Sequence, residues 1–343
     1  MTPLLSALAG DAEIESLLSD DAQLTAMLAV ERALAQASAD SGLITPAAAG
    51  AIATAIVAFT PDHAALTAAM PRDGVIVPAL IAQLRAAIPE AHRAALHKGA
   101  TSQDIVDTAL MLQTAKILDI VQSRLATLLT RLADLHKSHG DRPLLAHTRM
   151  QAALETTWTD KLQSWSDPLQ RHLRALESMR RGLLVIQLGG PVGDRRSFDD
   201  KGDAIAAALA KHLDLGLAAP WHTARDPIVA LGDRLALVTG SLGKIGADIA
   251  LLSQTEIGAV TLANGGTSSA MAHKSNPVAA ELLVALARFN AGLAGTLQQA
   301  MVHEYERSGA AWTLEWLTLP QIFVTTGASL RHAASLLDQI RLT

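Results

Sequence analysis

The sequence predicts an all-α protein, with a small N-terminal helical domain followed by a long-helix bundle. Half of the 343 residues are hydrophobic but only 3% are aromatic, and the prominent Ala and Leu favour helices over strands. From about residue 97, apolar residues recur at i, i+3, i+4 and i+7 over long stretches, which is the spacing of one helix face. Turn residues divide the preceding part into shorter segments.

The two parts are expected to differ in helix length. Residues 1–95 form the N-terminal helical domain, with turns at Gly42–Pro46, Pro61–His63 and Pro71–Gly74. Residues 96–343 form the central bundle, with long helices over Asp104–Gly140, Thr156–Gly182 and Ile228–Val260. A helix of about thirty residues spans roughly 45 Å at ~1.5 Å per residue. We therefore expect an elongated bundle whose loops, at Gly140–Arg142, Gly189–Arg195 and Asn264–Pro277, can carry chemistry.

Composition excludes several classes of partner. The net charge is -5, and Lys and Arg are scattered rather than gathered into the basic stripes that bind nucleic acid. The N-terminus has no positively charged region ahead of its apolar residues, so no signal peptide is expected. The longest uncharged run, Ser41–Pro61, carries Thr45 and Pro46 and is typical of a capped amphipathic helix rather than a membrane span.

Cysteine is absent from the chain, which excludes disulfides, thiolate metal sites and a cysteine nucleophile. A cytoplasmic location fits best. The mean hydropathy of +0.25 predicts apolar surface that is buried between copies of the chain, in a homo-oligomer of packed helices.

The first candidate segment is HKGATSQDIVDTALMLQ, residues 97–113. Thr101, Ser102 and Asp104 lie where a helix should begin, so they are explained by an N-cap and an acidic first turn. The same hydroxyl and N–H groups can also receive a substrate carboxylate, because helix N-termini bind anions.

The second candidate segment is AHTRMQAALETTW, residues 146–158. Thr148, Arg149 and Gln151 follow a Pro-containing turn, and on their own they are explained by surface polarity at a helix start. Arg149 has the planar guanidinium that binds a carboxylate in bidentate fashion.

The third candidate segment is ANGGTSSAMAHKSNPVAAE, residues 263–281. Its glycines, serines and Asn-Pro pair predict a loop that ends at a helix start, and a plain linker would not need Lys274 and Asn276 just before Pro277. A phosphate-binding P-loop would require Gly before its Lys, but His273 stands there. The serine-hydrolase motif GxSxG and the zinc motif HExxH are both absent from the sequence. His303, beside Glu304, is taken as a solvated helix residue, and we expect no metal and no cofactor.

These three segments together resemble the signature regions of the fumarase/aspartase superfamily, in the same order. Residues 267–277, TSSAMAHKSNP, resemble the superfamily loop GSSxMPxKxNP, with Thr267 in place of Gly and Ala272 in place of Pro. Residues 97–108 match the TSxDxxxT region. Three further stretches, PWHTARD (220–226), LGKIGADIALLSQTEIG (242–258) and HEYERSGAAWTLEW (303–316), are similar to the bacterial 3-carboxy-cis,cis-muconate cycloisomerase branch.

The resemblance implies an enzyme that acts on a small polycarboxylate in protocatechuate catabolism, the β-ketoadipate pathway. It implies Ser268 as the catalytic residue. The substrate-binding residues that it implies are His97, Thr101, Ser102, Arg149, Gln151, Lys274, Asn276 and Arg307. It also implies a homotetramer whose active sites are shared between subunits, and a third, C-terminal helical domain that the 343 residues do not include.

Arg149 separates the possible reactions. Many lyases of the superfamily have a His at this position, where it serves acid catalysis. A lyase that expels an amine benefits from such an acid, whereas cycloisomerisation, read backwards, expels a carboxylate with a pKa near ~4 that leaves unprotonated. The alternatives are a superfamily lyase such as one acting on adenylosuccinate, a sulfomuconate cycloisomerase, and a non-catalytic scaffold protein.

Overall fold

The computed structural model describes residues 2–271 and 274–343. Within these residues the chain is mainly helical, which confirms the predicted all-α class, with four short strands added. The N-terminal helices are α1 (Pro3–Ala9), α2 (Ala12–Leu17), α3 (Asp20–Asp40), α4 (Pro46–Ala58), α5 (His63–Asp73) and α6 (Val77–Ala87).

Short polar residues begin most of the N-terminal helices. The side chains of Asp11, Ser19, Thr45 and Asp62 each accept a hydrogen bond from a backbone N–H in the first turn of the helix that follows, as N-cap residues do. Helix α5 ends at Gly74, whose φ of 69° is a left-handed conformation that favours glycine. The turns predicted near residues 42–46 and 61–63 therefore lie between helices, whereas most of the predicted turn Pro71–Gly74 lies inside α5, with only Gly74 beyond its end.

The elements after residue 95 are longer. They are α7 (Ser102–His139), β1 (Pro143–Thr148), β2 (Gln151–Thr157), α8 (Trp158–Leu183), α9 (Gly202–Leu213), α10 (Asp226–Leu252), β3 (Val260–Leu262), α11 (Val278–Gln299), α12 (Gly309–Gln339) and β4 (Ile340–Leu342). Short 3-10 turns precede α7, at Glu90–Ala95, and α9, at Arg196–Lys201.

Five long helices form the bundle core. Helix α10 packs against α8, α11 and α12, and α7 packs against α8 and α12. Side chains that are fully buried in this core include Leu125, Leu235, Leu283 and Leu330. The 38 residues of α7 extend for about 57 Å at 1.5 Å per residue. Its two ends therefore lie at opposite ends of an elongated bundle.

A second hydrophobic core lies under the N-terminal helices. It joins α3, α4 and α6 to the first turns of α7, and it also takes in Ile205 and Leu209 of α9. The core thus continues beyond residue 95, through a helix that returns to pack on α3. A domain boundary at residues 95 and 96 remains a prediction.

Two local expectations were wrong. The helix expected to reach Val260 ends at Leu252, and a turn containing Gly258 at φ 57° leads into β3, which pairs with β4. The segment around Arg149 is not a helix start but the antiparallel hairpin β1–β2. Arg149 and Met150 have φ values of 48° and 66°, as the two central residues of a tight hairpin turn require.

Helices α10 and α11 are long and apolar enough to span a membrane by length and composition alone, and the bent pair α4 and α5 passes the same test in the described chain. Only 28% of the most apolar stretch of α11 is buried. Part of this apolar stretch, including Val278 and Phe289, therefore has no cover within one chain.

Candidate active site

Thr101 joins the first candidate segment to the stretch at residues 303–316, which contains Arg307. It is the N-cap residue of α7, as predicted. Its hydroxyl accepts a hydrogen bond from Nη1 of Arg307 at 2.8 Å, and Nη2 of Arg307 donates to the carbonyl of Pro191 at 2.8 Å. Ser102, the first residue of α7, is partly exposed beside them. The structure thus brings hydroxyl groups and a guanidinium to the start of the longest helix.

Asp104 is the buried centre of this end of the bundle. Its carboxylate accepts hydrogen bonds from the backbone N–H groups of Thr101 (2.9 Å), Gly189 (2.8 Å) and Gly190 (2.9 Å). Nε2 of His222 lies 3.0 Å from the same carboxylate. Asp104 therefore caps α7 and fixes the 189–195 loop against it.

The two glycines of that loop allow the close packing. A Cβ atom at Gly189 would lie 2.7 Å from Cε1 of His222. At Gly190, where φ is 68°, a Cβ atom would lie 2.2 Å from Oγ of Ser197. Larger residues would push the loop, and the carbonyl of Pro191 that holds Arg307, away from α7.

His97 lies in the turn that leads to Thr101. Its backbone is left-handed, with φ 59°, and Nδ1 lies 2.6 Å from Oε1 of the buried Glu31. Burial, the largest influence, lowers the pKa of His97, but the charge of Glu31 and its hydrogen bond outweigh burial and raise the pKa above its ordinary value. The imidazolium form of His97 is thus more stable than that of a free histidine.

A buried ion-pair network lies behind this cluster. Arg225 donates to Asp107 at 2.7 Å and to Glu315 at 2.6 Å, and its guanidinium carbon lies 4.7 Å from the centre of the Trp221 ring. Burial lowers the pKa of Arg225, but the charges of Asp107 and Glu315 raise it well above its ordinary value. Because Asp107 is on α7 and Glu315 is on α12, the network locks the two helices together.

The 263–277 loop is closed at its base. The backbones of Gly266 and Asn276 exchange two hydrogen bonds, of 2.8 and 2.9 Å. Oγ of Ser268 accepts from the N–H groups of Ala270 (3.3 Å) and Met271 (3.1 Å). Lys274 is exposed. Ala272, one of the two departures from the superfamily pattern, and His273 lie outside the described residues.

Arg149 and Gln151 lie at the exposed tip of the β1–β2 hairpin. A cavity of about 340 Å³ between this hairpin and the end of α10 is lined by Arg149, His147, Lys161 and Asp248, among others. Nε2 of Gln151 donates to the carbonyl of Met150 at 3.1 Å. The exposed Arg149 thus places a guanidinium at this end of the bundle, while Lys161 is paired with Asp248 at 3.6 Å.

The candidate residues divide between two ends of the bundle. His97, Thr101, Ser102 and Arg307 lie at the N-terminal end of α7. The β1–β2 hairpin, with Arg149 and Gln151, follows the C-terminal end of α7. The 263–277 loop lies at the same end, because it follows β3, and β3 pairs with β4. Arg142, at the base of the hairpin, donates to the carbonyl of Leu342 in β4 at 2.8 Å. One chain therefore does not bring all the candidate residues together.

Sequence reasoning missed several residues of this site. Asp104 was expected only as an acidic first-turn residue, and Glu31 and His222 were not singled out. The prediction that His303 is a solvated helix residue was wrong. His303 lies between α11 and α12, its side chain is only 1% exposed, and Nε2 lies 3.6 Å from Glu315. The stretches PWHTARD and HEYERSGAAWTLEW, which contain His222 and His303, were the available signal.

The chain is similar to known enzymes over most of its length. A family model described as lyase matches residues 11–289. The chain is 40% identical to a 3-carboxy-cis,cis-muconate cycloisomerase of Pseudomonas aeruginosa, over 96% of this chain and 74% of that protein. It is 37% identical to a protein of the same name from Bradyrhizobium diazoefficiens, over 96% and 75% of the two chains.

A solved structure is similarly close. The crystal structure of 3-carboxy-cis,cis-muconate lactonizing enzyme from Pseudomonas putida superposes with a TM-score of 0.93 at 39% identity. The match covers 99% of this chain and 78% of that one. The likeness therefore includes both ends of the bundle at which the candidate residues lie.

Proposed function

This chain belongs to the lyase family of the fumarase/aspartase superfamily, and we propose that it acts as a 3-carboxy-cis,cis-muconate cycloisomerase. The observation that carries the proposal is the shared name of relatives that are 37–40% identical over nearly the whole chain. The reaction is an intramolecular addition that places the enzyme among the isomerases.

The reaction makes two bonds. A carboxylate oxygen of the substrate adds to a double bond of the same molecule and closes a lactone ring. The neighbouring carbon, which is next to another carboxylate, becomes an enolate-like dianion and then takes up one proton. The reaction consumes that proton, because a trianion becomes a dianion when one carboxylate is converted to an ester. The enzyme must therefore stabilise the enolate-like intermediate and deliver a proton to its carbon.

The 263–277 loop suits both tasks. Lys274 and Asn276 supply a positive charge and an amide donor for the dianion, following the logic of an oxyanion hole. Ser268 delivers the proton. A serine hydroxyl needs a strongly positive surrounding to act near neutral pH, so Lys274 and the cationic groups of other segments have to meet it when the loop closes over substrate.

The remaining carboxylates are bound by the other candidate residues. Thr101, Ser102, His97 and Arg307 bind at the α7 end, where Arg307 is already hydrogen-bonded to Thr101 at 2.8 Å. Arg149 and Gln151 bind from the hairpin. Arg149 adds positive charge for a tricarboxylate. A general acid is not needed at this position, because the carboxylate that is expelled in the reverse reaction can leave without a proton.

We further propose a homotetramer, located in the cytoplasm, whose active sites combine segments of different subunits. Two observations support it. The candidate residues of one chain lie at opposite ends of a helix about 57 Å long, so copies must supply what one chain separates. Helix α11 also carries exposed apolar side chains such as Phe289, which is 48% exposed, and packing between copies would cover them.

The test is an ultraviolet assay with 3-carboxy-cis,cis-muconate, whose conjugated diene absorbance should fall as the lactone forms. Adenylosuccinate and a sulfonated muconate are assayed beside it. Turnover of the carboxymuconate with the best kcat/KM supports the proposal. Turnover of adenylosuccinate alone assigns a lyase instead, preference for the sulfonate assigns a sulfomuconate cycloisomerase, and no turnover of any of them favours a scaffold role.

A further inference from the structure

We propose that Glu31 is a positioning residue, which holds His97 as an imidazolium so that its Nε2–H binds a substrate carboxylate beside Thr101. The inference rests on the proposed function and adds a residue from α3, in the N-terminal part of the chain, to the site. Glu31 does not touch substrate in this arrangement. It acts through His97.

The carboxylate of Glu31 is almost completely removed from solvent. The residue lies in the middle of α3 with a side chain 1% exposed, between Val30 and Leu34 in the second hydrophobic core. Oε1 lies 2.6 Å from Nδ1 of His97, a separation typical of a charge-assisted hydrogen bond. A buried carboxylate is strongly destabilising unless it is paired, so this contact determines the state of both groups.

The two oxygens of the Glu31 carboxylate differ, because Oε1 contacts His97 whereas Oε2 is buried without a hydrogen-bond partner among the described residues. A carboxylate held only by neutral donors is usually surrounded by several of them, whereas Glu31 has one short contact, to an imidazole. The arrangement fits an ion pair with an imidazolium.

The surrounding charges favour the same form. Besides Glu31, Asp104 on α7 raises the pKa of His97, while Arg85 on α6 lowers it, and burial lowers it most. Nζ of Lys98, the next residue, is directed to the carbonyl of Leu43 at 3.2 Å. The net effect of these groups is a raised pKa.

A short backbone turn connects His97 to the site. The left-handed φ of 59° at His97 is a conformation that non-glycine residues rarely adopt, and such strain is often retained at functional sites. The turn continues through Gly99, at φ 80°, whose carbonyl accepts from Oγ of Ser197 at 2.6 Å. It ends at Thr101, the residue bound by Arg307.

The ring also retains a donor for a ligand. Nδ1 is hydrogen-bonded to Glu31. Within the described chain, Nε2 makes no hydrogen bond and is not one of the buried polar atoms that lack a partner. The His97 side chain is 16% exposed. Apolar residues can often replace a buried ion pair with little loss of stability, and a charged ring that reaches solvent four residues before Thr101 suits a carboxylate ligand.

The experiment compares Glu31→Gln, Glu31→Asp and His97→Gln with the wild-type protein. In wild type and Glu31→Gln, the His97 pKa is measured by NMR of histidine-labelled protein, with His97→Gln assigning the signal. We expect Glu31→Gln to lower that pKa by about one unit or more. The alkaline limb of kcat/KM should move to lower pH by the same amount, because the protonated ring is lost as pH rises through its pKa.

Separate effects on KM and kcat distinguish a positioning role of Glu31 from a loss of protein stability. At a pH above the lowered pKa, Glu31→Gln should raise KM for carboxymuconate about tenfold while kcat changes less than about threefold, and Glu31→Asp should restore part of the loss. An unchanged His97 pKa, or a loss of activity that is equal at every pH, overturns the inference. If Glu31→Gln does not fold, an alkaline limb that persists unchanged in His97→Gln overturns it instead.

Failure of the proposed function gives a different result. Wild-type protein that does not turn over carboxymuconate refutes the proposed function. The NMR titration needs no substrate, so an unshifted His97 pKa in Glu31→Gln refutes the pairing separately.

Discussion

The guanidinium of Arg307 donates to the hydroxyl of Thr101 over 2.8 Å, although 206 positions separate the two residues in the chain. The other end of the guanidinium is fixed on the carbonyl of Pro191 at 2.8 Å. Arg307 is thus oriented before any substrate arrives, at the N-terminal end of α7 where helix geometry already favours an anion. Such preorganisation lowers the ordering cost of binding a carboxylate.

Arg307→Lys should therefore weaken substrate binding. A lysine retains the charge but cannot bond Thr101 and Pro191 at once while facing a carboxylate. We expect KM for carboxymuconate to rise about tenfold, with a smaller change in kcat, in steady-state assays. Arg72→Lys is the matched control, because the Arg72 guanidinium is exposed and paired with its neighbour Asp73. Equal KM values for Arg307→Lys and wild type would remove Arg307 from substrate binding.

Ser268→Ala should abolish most turnover while leaving the fold intact. If Ser268 delivers the proton, kcat should fall by about 10²- to 10⁴-fold, the usual contribution of a positioned acid or base. The hydroxyl accepts only local, exposed hydrogen bonds from Ala270 and Met271, so the Tm should change little. Ser269→Ala, at the adjacent exposed position, is the control and should keep near-normal kcat. Similar rates in the two variants would contradict the assignment.

Phe289→Glu should disrupt the oligomer. Phe289 is a large, 48% exposed side chain on α11, and a buried glutamate without a partner strongly opposes association. By light scattering after gel filtration, the wild type should have a mass of about 144 kDa, four chains of 36.0 kDa, and the variant a smaller mass together with lost activity.

Val57→Glu is the control for this change. Val57 is 79% exposed on α4, among the N-terminal helices, so the same substitution there should alter neither mass nor activity. A variant Phe289→Glu that keeps both the wild-type mass and full activity would exclude this face of α11 from the interface.

Local signals explain which parts of the fold the sequence predicts. Thr101 and Asp104 are cap residues at the spacing that begins a helix, and α7 begins where they indicate. The hairpin turn at Arg149 and Met150 lacks the Gly or Asn that normally accompanies two left-handed residues, so the sequence carries no sign of it. This turn can be recognised only from the pairing of β1 with β2 in the structure.

Long-range pairs explain what the sequence misses at the site. Glu31 and His97 are 66 positions apart, and Asp104 and His222 are 118 apart. Neither pair has a local spacing that distinguishes it from solvated polar residues. The motif segments predict which parts of the chain carry chemistry, but the buried partners that orient those parts depend on how α3, α7 and the 189–195 loop pack.

Arg225→Met should be the most destabilising of the substitutions considered. Arg225 is fully buried between Asp107 and Glu315, so its removal leaves two buried carboxylates without the guanidinium that pairs with both. Breaking a buried pair from one side costs about 3–5 kcal/mol, and we expect a loss of that order in the free energy of unfolding from urea titration at fixed protein concentration. Arg72→Met, which removes an exposed pair, should cost about 0–1 kcal/mol. A deficit below about 1 kcal/mol would show that the network does not hold α7 and α12 together.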